Sequence, residues 1–295
     1  MPSEGMLPSL LVYGLINSAT LALTALGFSL TYGISRVANF AHGALYVLAG
    51  FAAWFFINRF HLNYYFAALL AIILISCVGA LIYRLALIRV RGMPLLEIIV
   101  TFALGTAALE ALRFFGFLGS NYSLPPLFGG SVNFLSVPVD RQRIALVVIG
   151  IVLVLSLWLL THHTRLGLAL RAMAQDEQAA MMLGIDSDLM ATLSLALGAA
   201  LAGVAAILLL PLSFIATESG ANILVSAIAV CILGGIESPA GVIVASLLLG
   251  YAQIVTVAYL GAHYQMIVAL FAILVTLILK PSGLFGKQKE LEERV

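Results

Sequence analysis

Charge is what this sequence has least of. Only 9% of its 295 residues are Asp, Glu, Lys or Arg, while 63% are hydrophobic; soluble domains carry roughly a quarter charged residues. Such a chain cannot cover a water-facing surface, so its solvent is lipid. The charges nearly cancel, 14 basic against 13 acidic for a net +1, which excludes an electrostatic footprint for nucleic acid. Cysteine is scarce too: Cys77 and Cys231 both lie inside apolar runs and read as small buried hydrophobes. The opening "MPSEGMLPSL" has no basic n-region and no small-residue cleavage site, so no cleaved signal peptide is expected. Residues 1–295 read as a single transmembrane domain with no soluble domain and no low-complexity tract, and the only charge-dense stretch is the tail, 281–295.

Catalytic signatures are missing as well. There is no G-x-S-x-G, HExxH or C-x-x-C. His162 and His163 are adjacent, a poor arrangement for a shared metal, so no metal site is expected. The tail's "GLFGKQ" approaches a P-loop, but Pro281 takes the first glycine position and Gln288 replaces the Ser/Thr. No cofactor is therefore assigned to this chain, and an integral membrane enzyme lacks its clustered nucleophile or metal set.

What the sequence does have is long apolar runs. A crossing helix needs about 20 predominantly apolar residues. Candidates lie near 9–33, 37–58, 64–83, 95–117, 143–161, 189–211, 222–236, 238–260 and 263–280. None shows the alternation of a barrel strand. The fold class is all-α, a polytopic transmembrane bundle of about eight spans plus broken or re-entrant segments. Lys and Arg in short loops mark the cytoplasmic side. Arg84, Arg89 and Arg91, then Arg165 and Arg171, then Lys280, Lys287 and Lys289 place three connections inside; Arg141 and Arg143 count against the rule. By parity 222–262 starts and ends outside, as two short spans or a re-entrant pair of half-helices.

At the centre of that stretch is "LGGIESPAG", Leu233 to Gly241. Gly234, Gly235, Glu237, Ser238, Pro239 and Gly241 are poor material for a lipid-facing helix interior. Broken backbone at membrane depth is tolerated only where protein buries it or a wet cavity lines it. They are candidate path residues, with close packing by small glycines or an external cap as the plainer readings. "TYGISRVANFAHGALYVLAG", Thr31 to Gly50, is a matching interruption, with Arg36, Asn39 and His42 among apolar residues. Asn39 and His42 are three apart and share a helix face, with Gly43 leaving room beside them. They suit either a packing hydrogen bond or the lining of a solute path. Paired interruptions in two halves point to a transporter's midplane. Glu110 and Arg113 are likewise three apart, an intramembrane ion pair by spacing.

The connection "RLGLALRAMAQDEQAAMMLGIDSD", Arg165 to Asp188, is long for a link between spans. Leu166, Leu170, Met173, Ala174 and Met181 recur at helical spacing, and Arg171, Gln175, Gln178 and Met182 form a second stripe. Asp176 is placed to N-cap a second helix and Gly184 to stop it. The expectation is two short cytoplasmic helices within 162–188, with a turn near Gln175–Asp176. One side packs on the bundle and the other faces a protein partner, because a helix lying on lipid wants a Lys/Arg-rich polar face.

Here the chain resembles a known family. "RLGLALRAMAQDEQAAMMLGID" looks like the cytoplasmic coupling loop of ATP-binding-cassette importer permeases of the branched-chain amino acid type. "ALGFSLTYGISRVANFAHGALYVLAG" resembles that family's first conserved block, and "ILGGIESPAGVIVASLLLG" and "LKPSGLFGK" its C-terminal blocks. The blocks occur in the family's order over about residues 10–287. The length and the NFAHG core fit the LivH type rather than the longer LivM type. The resemblance implies a type II-like importer permease fold in a bacterial or archaeal cytoplasmic membrane. It also implies a second homologous, LivM-like permease, two cytoplasmic ATPases that hold ATP and Mg, and an extracytoplasmic solute-binding protein. Arg165, Gly167, Arg171, Gln175, Asp176, Glu177 and Gly184 would then couple to the ATPase. The solute would be a branched-chain amino acid or a related small polar molecule, such as another amino acid, urea or a short amide. A stand-alone gradient-driven transporter or channel is the rival; it would use Glu110 and Arg113 and leave the coupling stretch unexplained.

Overall fold

A computed structural model describes residues 6–117, 122–134 and 137–286. Its elements in chain order are α1 (Met6–Ser35), α2 (His42–Phe60), α3 (Tyr64–Leu85), α4 (Pro94–Phe114), β1 (Ser131–Phe134), β2 (Val137–Asp140), α5 (Arg141–His163), α6 (Arg165–Gln175), α7 (Glu177–Met182), α8 (Ser187–Leu209), α9 (Ser219–Gly234), α10 (Pro239–Tyr259) and α11 (Gln265–Leu279). Among the described residues eight helices are long and apolar enough to cross a bilayer, and α9 is a shorter apolar helix. Lipid offers no partner to a backbone N–H or C=O, so each run must close its own hydrogen bonds as a helix, whatever its side chains.

Helices α1 and α8 form the centre, flanked by α2, α3, α9 and α10. In its most apolar window α8 is 67% buried, against 11% for α5 and for α11, which lie at the periphery. Apolar side chains gain little by leaving lipid for one another, so close approach of backbones sets the packing. A Cβ on Gly27 would come within 2.7 Å of the Gly198 carbonyl oxygen, joining α1 to α8. One on Gly250 would come within 2.7 Å of the Ser18 backbone, joining α10 to α1.

The two ends of the bundle differ. Near one end Leu170 and Met173 of α6 pack with Ile34 of α1 and Met190 of α8, and Tyr83 and Leu87 pack with Val37 and Ala191. Arg84, Arg89, Arg91, Arg165, Arg171 and Lys280 all belong to this basic end; Lys287 and Lys289 lie outside the described residues. At the other end β1 and β2 form an antiparallel hairpin, pairing Ser131 with Asp140 and Phe134 with Val137. Val137 and Val139 are buried against Val12 and Ile16 of α1. The sequence gives this hairpin only two alternating valines, and no element is expected there.

Of the two alternatives for 222–262, two spans or a re-entrant pair of half-helices, the structure takes a pair of oppositely directed helices, α9 and α10. Helix α9 runs toward the basic end, where Leu284 N–H donates to the Leu233 carbonyl at 2.8 Å. Helix α10 then returns, and Asn17 of α1 donates to the Gln253 side chain at 3.0 Å near the hairpin end. The turn joining them therefore sits at the basic end. The interruption after α1 is real: Arg36 adopts φ 55°, and residues 36–41 are unwound before α2 begins at His42.

Candidate functional site

The unwound segment is held from within. Asn39 is buried, its side-chain oxygen accepting from the Ala41 N–H at 3.1 Å. Its carbonyl accepts from the His42 N–H, also at 3.1 Å. Asn39 thus closes a turn that leads into α2, as an Asx turn offers, while the N-cap position, Ala41, carries no side-chain cap. His42 is 1% exposed and its Nε2 lies 2.9 Å from the Thr24 carbonyl of α1. A carbonyl only accepts, so the ring nitrogen donates. Phe28 meets the imidazole edge-on. Gly43 faces the start of α9, where a Cβ would fall 2.0 Å from the Gly220 carbonyl oxygen. Asn39, His42 and Gly43 are a tightly packed joint among α1, α2 and α9, and none of them lines an open channel in this conformation.

Gly234 and Gly241 do not open a path either. A Cβ on Gly234 would lie 2.4 Å from the Gly241 carbonyl oxygen, and one on Gly241 2.1 Å from that of Gly234. Gly235 (φ 100°) makes the corner, and Ser238 caps α10 by accepting from the Gly241 N–H at 3.0 Å. Pro239 is the first residue of α10, where no N–H is needed. The segment after α11 closes over this corner: Phe285 N–H donates to the Gly234 carbonyl at 3.0 Å, satisfying the end of α9. Glu237 remains exposed beside Gly33 of α1. An apolar groove of about 260 Å³ between α1, α5 and α10 touches none of these residues.

Helices α6 and α7 form the long connection between α5 and α8. Thr164 caps α6 by accepting from the Gly167 N–H at 2.9 Å. Asp176 caps α7 by accepting from the Ala179 N–H at 3.0 Å. Gly184 leaves with φ 85°. Gly167 fits directly against the backbone of α5, where a Cβ would sit 1.9 Å from the Leu160 carbonyl oxygen. Leu170, Met173 and Ala180 anchor the pair to the bundle. Leu166 and Met181 share a stripe with the buried Leu170 and Met173 yet are exposed: Leu166 lies in the first turn of α6 and Met181 near the end of the short α7. Gln175 and Gln178 are exposed, Glu177 and Arg171 partly so. Met182 and Leu183 are each 82% exposed. The pair thus presents bare apolar side chains at the basic end.

The Glu110–Arg113 pair forms, at 2.9 Å, but at the last turn of α4 rather than at mid-span. Arg113 also binds Glu218 at 2.8 Å and Thr217 Oγ1 at 2.9 Å, which ties α4 to the entry of α9. The Glu218 carboxyl is held below the usual carboxylate range by its own backbone N–H and by the Arg113 guanidinium. The pair is a surface clasp.

One network escapes sequence reading. Arg91, in the connection between α3 and α4, contacts Glu177 of α7 and both Ser187 and Asp188 of α8. Tyr83 donates to the same Asp188 carboxylate at 2.8 Å, and Ser187 donates to Glu177 at 2.6 Å. By sequence Arg91 is only a marker of sidedness, and Asp188 only the end of the long connection. Residues this far apart in the chain carry no spacing signal. Among the described residues no three His, Cys, Asp or Glu side chains gather as a metal would require.

Comparisons with known proteins agree with one another. The family described as "Branched-chain amino acid transport system / permease component" matches residues 10–278. The Salmonella typhimurium high-affinity branched-chain amino acid transport system permease protein LivH is 30% identical, covering 93% of this chain and 94% of its own length. The Pseudomonas aeruginosa permease protein BraD is also 30% identical, over 94% and 95%. A probable LivH of Methanocaldococcus jannaschii is 26% identical over 92% and 90%. Among solved structures, a chain of PsaBC from Streptococcus pneumoniae, in complex with a Fab, matches with TM-score 0.52, 16% identity and 92% coverage of both chains; that likeness concerns the fold.

Proposed function

The chain belongs to the branched-chain amino acid transport permease family, and from that premise we propose that it is the membrane-spanning permease subunit of an ATP-binding-cassette importer. It moves a branched-chain amino acid or a related small polar solute, and ATPase subunits on other chains supply the energy. A second, LivM-like permease completes the pathway, and a solute-binding protein delivers solute from outside. The assembly lies in a bacterial or archaeal cytoplasmic membrane with the basic end inside, as the positive-inside rule favours. ATP and Mg are held by the ATPases; this chain binds neither and hydrolyses nothing.

One observation beyond family membership supports the reading most strongly. The α6–α7 pair is anchored by Leu170 and Met173 yet leaves Met182 and Leu183 bare. A lipid-seated helix would surround such residues with cations; here Asp176, Glu177 and Asp186 stand near them. That surface suits a groove on a protein partner. ATP-driven closure of the ATPases would shift the helix pair and re-open the bundle. The gradient-driven alternative loses its main support, since Glu110 and Arg113 sit in an exposed clasp and provide no buried relay.

Purification of the tagged chain from its own membranes in mild detergent, with mass spectrometry of what accompanies it, tests the proposal. Two ATPases and a second permease are the expected companions. A homo-oligomer without ATPases, after cross-linking in the membrane, would overturn it.

A further inference from the structure

Apart from the Arg113 clasp at its end, helix α4 buries one line of residues. Its buried residues are Glu97, Thr101 and Gly105, each one turn from the next. That line touches the unwound segment: Thr101 Oγ1 accepts from the Phe40 N–H at 3.1 Å and donates to the Glu97 carbonyl at 2.9 Å. A Cβ on Gly105 would come within 3.0 Å of Ala41. At its start α4 is tied back to the preceding loop, where the Glu97 carboxylate accepts from the Gly92 N–H at 2.9 Å. Gly92 follows Arg91, which grips α7 through Glu177 and α8 through Ser187 and Asp188. An unbroken chain of bonds therefore runs from α7 through Arg91, Gly92, Glu97 and Thr101 to Phe40, beside the Asn39–His42 joint.

We infer that Arg91 is a positioning residue that carries displacement of the α6–α7 pair along α4 to the unwound segment before α2. The inference rests on the importer reading and names the internal linkage which that reading needs. Other routes from α6 lead into α1 and α8, whose backbones are interlocked at Gly27 and Gly198, with the Thr31 side chain packed against Gly198 as well; packed cores of this kind resist sliding. Helix α4 is 17% buried in its most apolar window, against 56% for α1 and 67% for α8, so it is the most lightly packed of these routes and can act as a lever held at its far end by the Arg113 clasp to Glu218 and Thr217. Partly exposed ion pairs add little stability. What Arg91 adds is geometry: its planar fork meets three acceptors at once, which a lysine ammonium on a flexible stem does not reproduce.

The test is made on the complete complex in lipid nanodiscs or vesicles, with its ATPases, partner permease and binding protein, using labelled leucine, isoleucine and valine as probes. ATP hydrolysis and uptake are measured together. Arg91→Lys and Thr101→Val are expected to retain hydrolysis but lower solute moved per ATP by about threefold or more, the scale at which residues along a coupling network act. Thr101→Ser, which keeps the hydroxyl, is expected to restore the ratio. Because both residues act in one chain, the double variant should be no worse than the poorer single variant. An unchanged ratio in either variant, or losses that multiply, would overturn the linkage. If Arg91→Lys sheds the ATPases, Thr101→Val decides alone, since it lies away from the docking face. A wild-type complex without ATP-driven uptake of any probe would sink the importer reading, whereas coupled wild-type and coupled variants sink only the linkage.

Discussion

His42 shows what a polar residue inside a membrane bundle is for. Its ring is enclosed by α1, with a Cβ on Gly27 only 2.9 Å from Cε1, and its one strong bond joins the start of α2 to the Thr24 carbonyl. His42→Phe adds volume where none is free and removes the donor. It is expected to destabilise the bundle by about 1–3 kcal/mol, the usual cost of overpacking, with uptake falling in step with the amount of folded protein. His42→Gln, which keeps a donor, should stay closer to wild type. Thermal unfolding in detergent beside uptake in cells checks this; a loss of uptake at unchanged stability would return His42 to the solute path. The sequence displays the polar residues of 36–43 plainly, since Arg36, Asn39 and His42 stand out among apolar neighbours. Whether such residues face a channel or each other is decided by helices from elsewhere in the chain, here α1 and α9, and no local pattern encodes it. The same holds for Gly234 and Gly241, visible as breaks but paired with each other only once α9 and α10 fold back.

Among the elements, α6 and α7 were the most legible and α4 the least. Two helices separated at Asp176 follow from capping chemistry that lies within a few residues of each helix. The face they present does not follow as readily, because Leu166 and Met181 are exposed although they share a stripe with the buried Leu170 and Met173. Met182 and Leu183 therefore form the better target for a docking test than the charged residues. Met182→Asp and Leu183→Asp are expected to lower recovery of the ATPases at least tenfold, as loss of a buried apolar anchor does at an interface. The bundle's own unfolding temperature should not move, because neither side chain touches the core. Equal recovery of ATPases with both substitutions together would place the docking surface elsewhere. Helix α4 reads in sequence as an ordinary span carrying Glu97, Glu110 and Arg113. Its division into a clasp at one end and a buried line at the other arises from partners at Thr217, Glu218 and Phe40, and each of these is far away in the chain.

For the whole molecule, the asymmetry of the two ends favours one orientation by the positive-inside rule. Nine apolar runs were countable from hydropathy, and among the described residues they become eight long helices and the shorter α9, because backbone satisfaction in lipid leaves little else for such runs to become. The direction of α9 and α10 was not, since parity allowed either a re-entrant pair or two crossings. With the basic end inside, the β1–β2 hairpin and the starts of α1 and α11 lie outside, and the α9–α10 corner lies inside under residues 283–286. Cysteine labelling tests the arrangement directly. Cys231 is buried and Cys77 is exposed within α3, so replacing Cys77 by Ala and Cys231 by Ser clears the background. Asn133→Cys in the hairpin should then react with a membrane-impermeant maleimide in intact cells or spheroplasts. Met182→Cys should react only after the membrane is opened, and less when the ATPases are bound than when they are stripped away. Ser238→Cys, at the α9–α10 corner, belongs with Met182 and should stay silent in intact cells. Labelling of Ser238→Cys from outside would mean that the corner faces the extracytoplasmic side. The helix directions would then be wrong, and so would the placement of α6 and α7 that the coupling mechanism depends on.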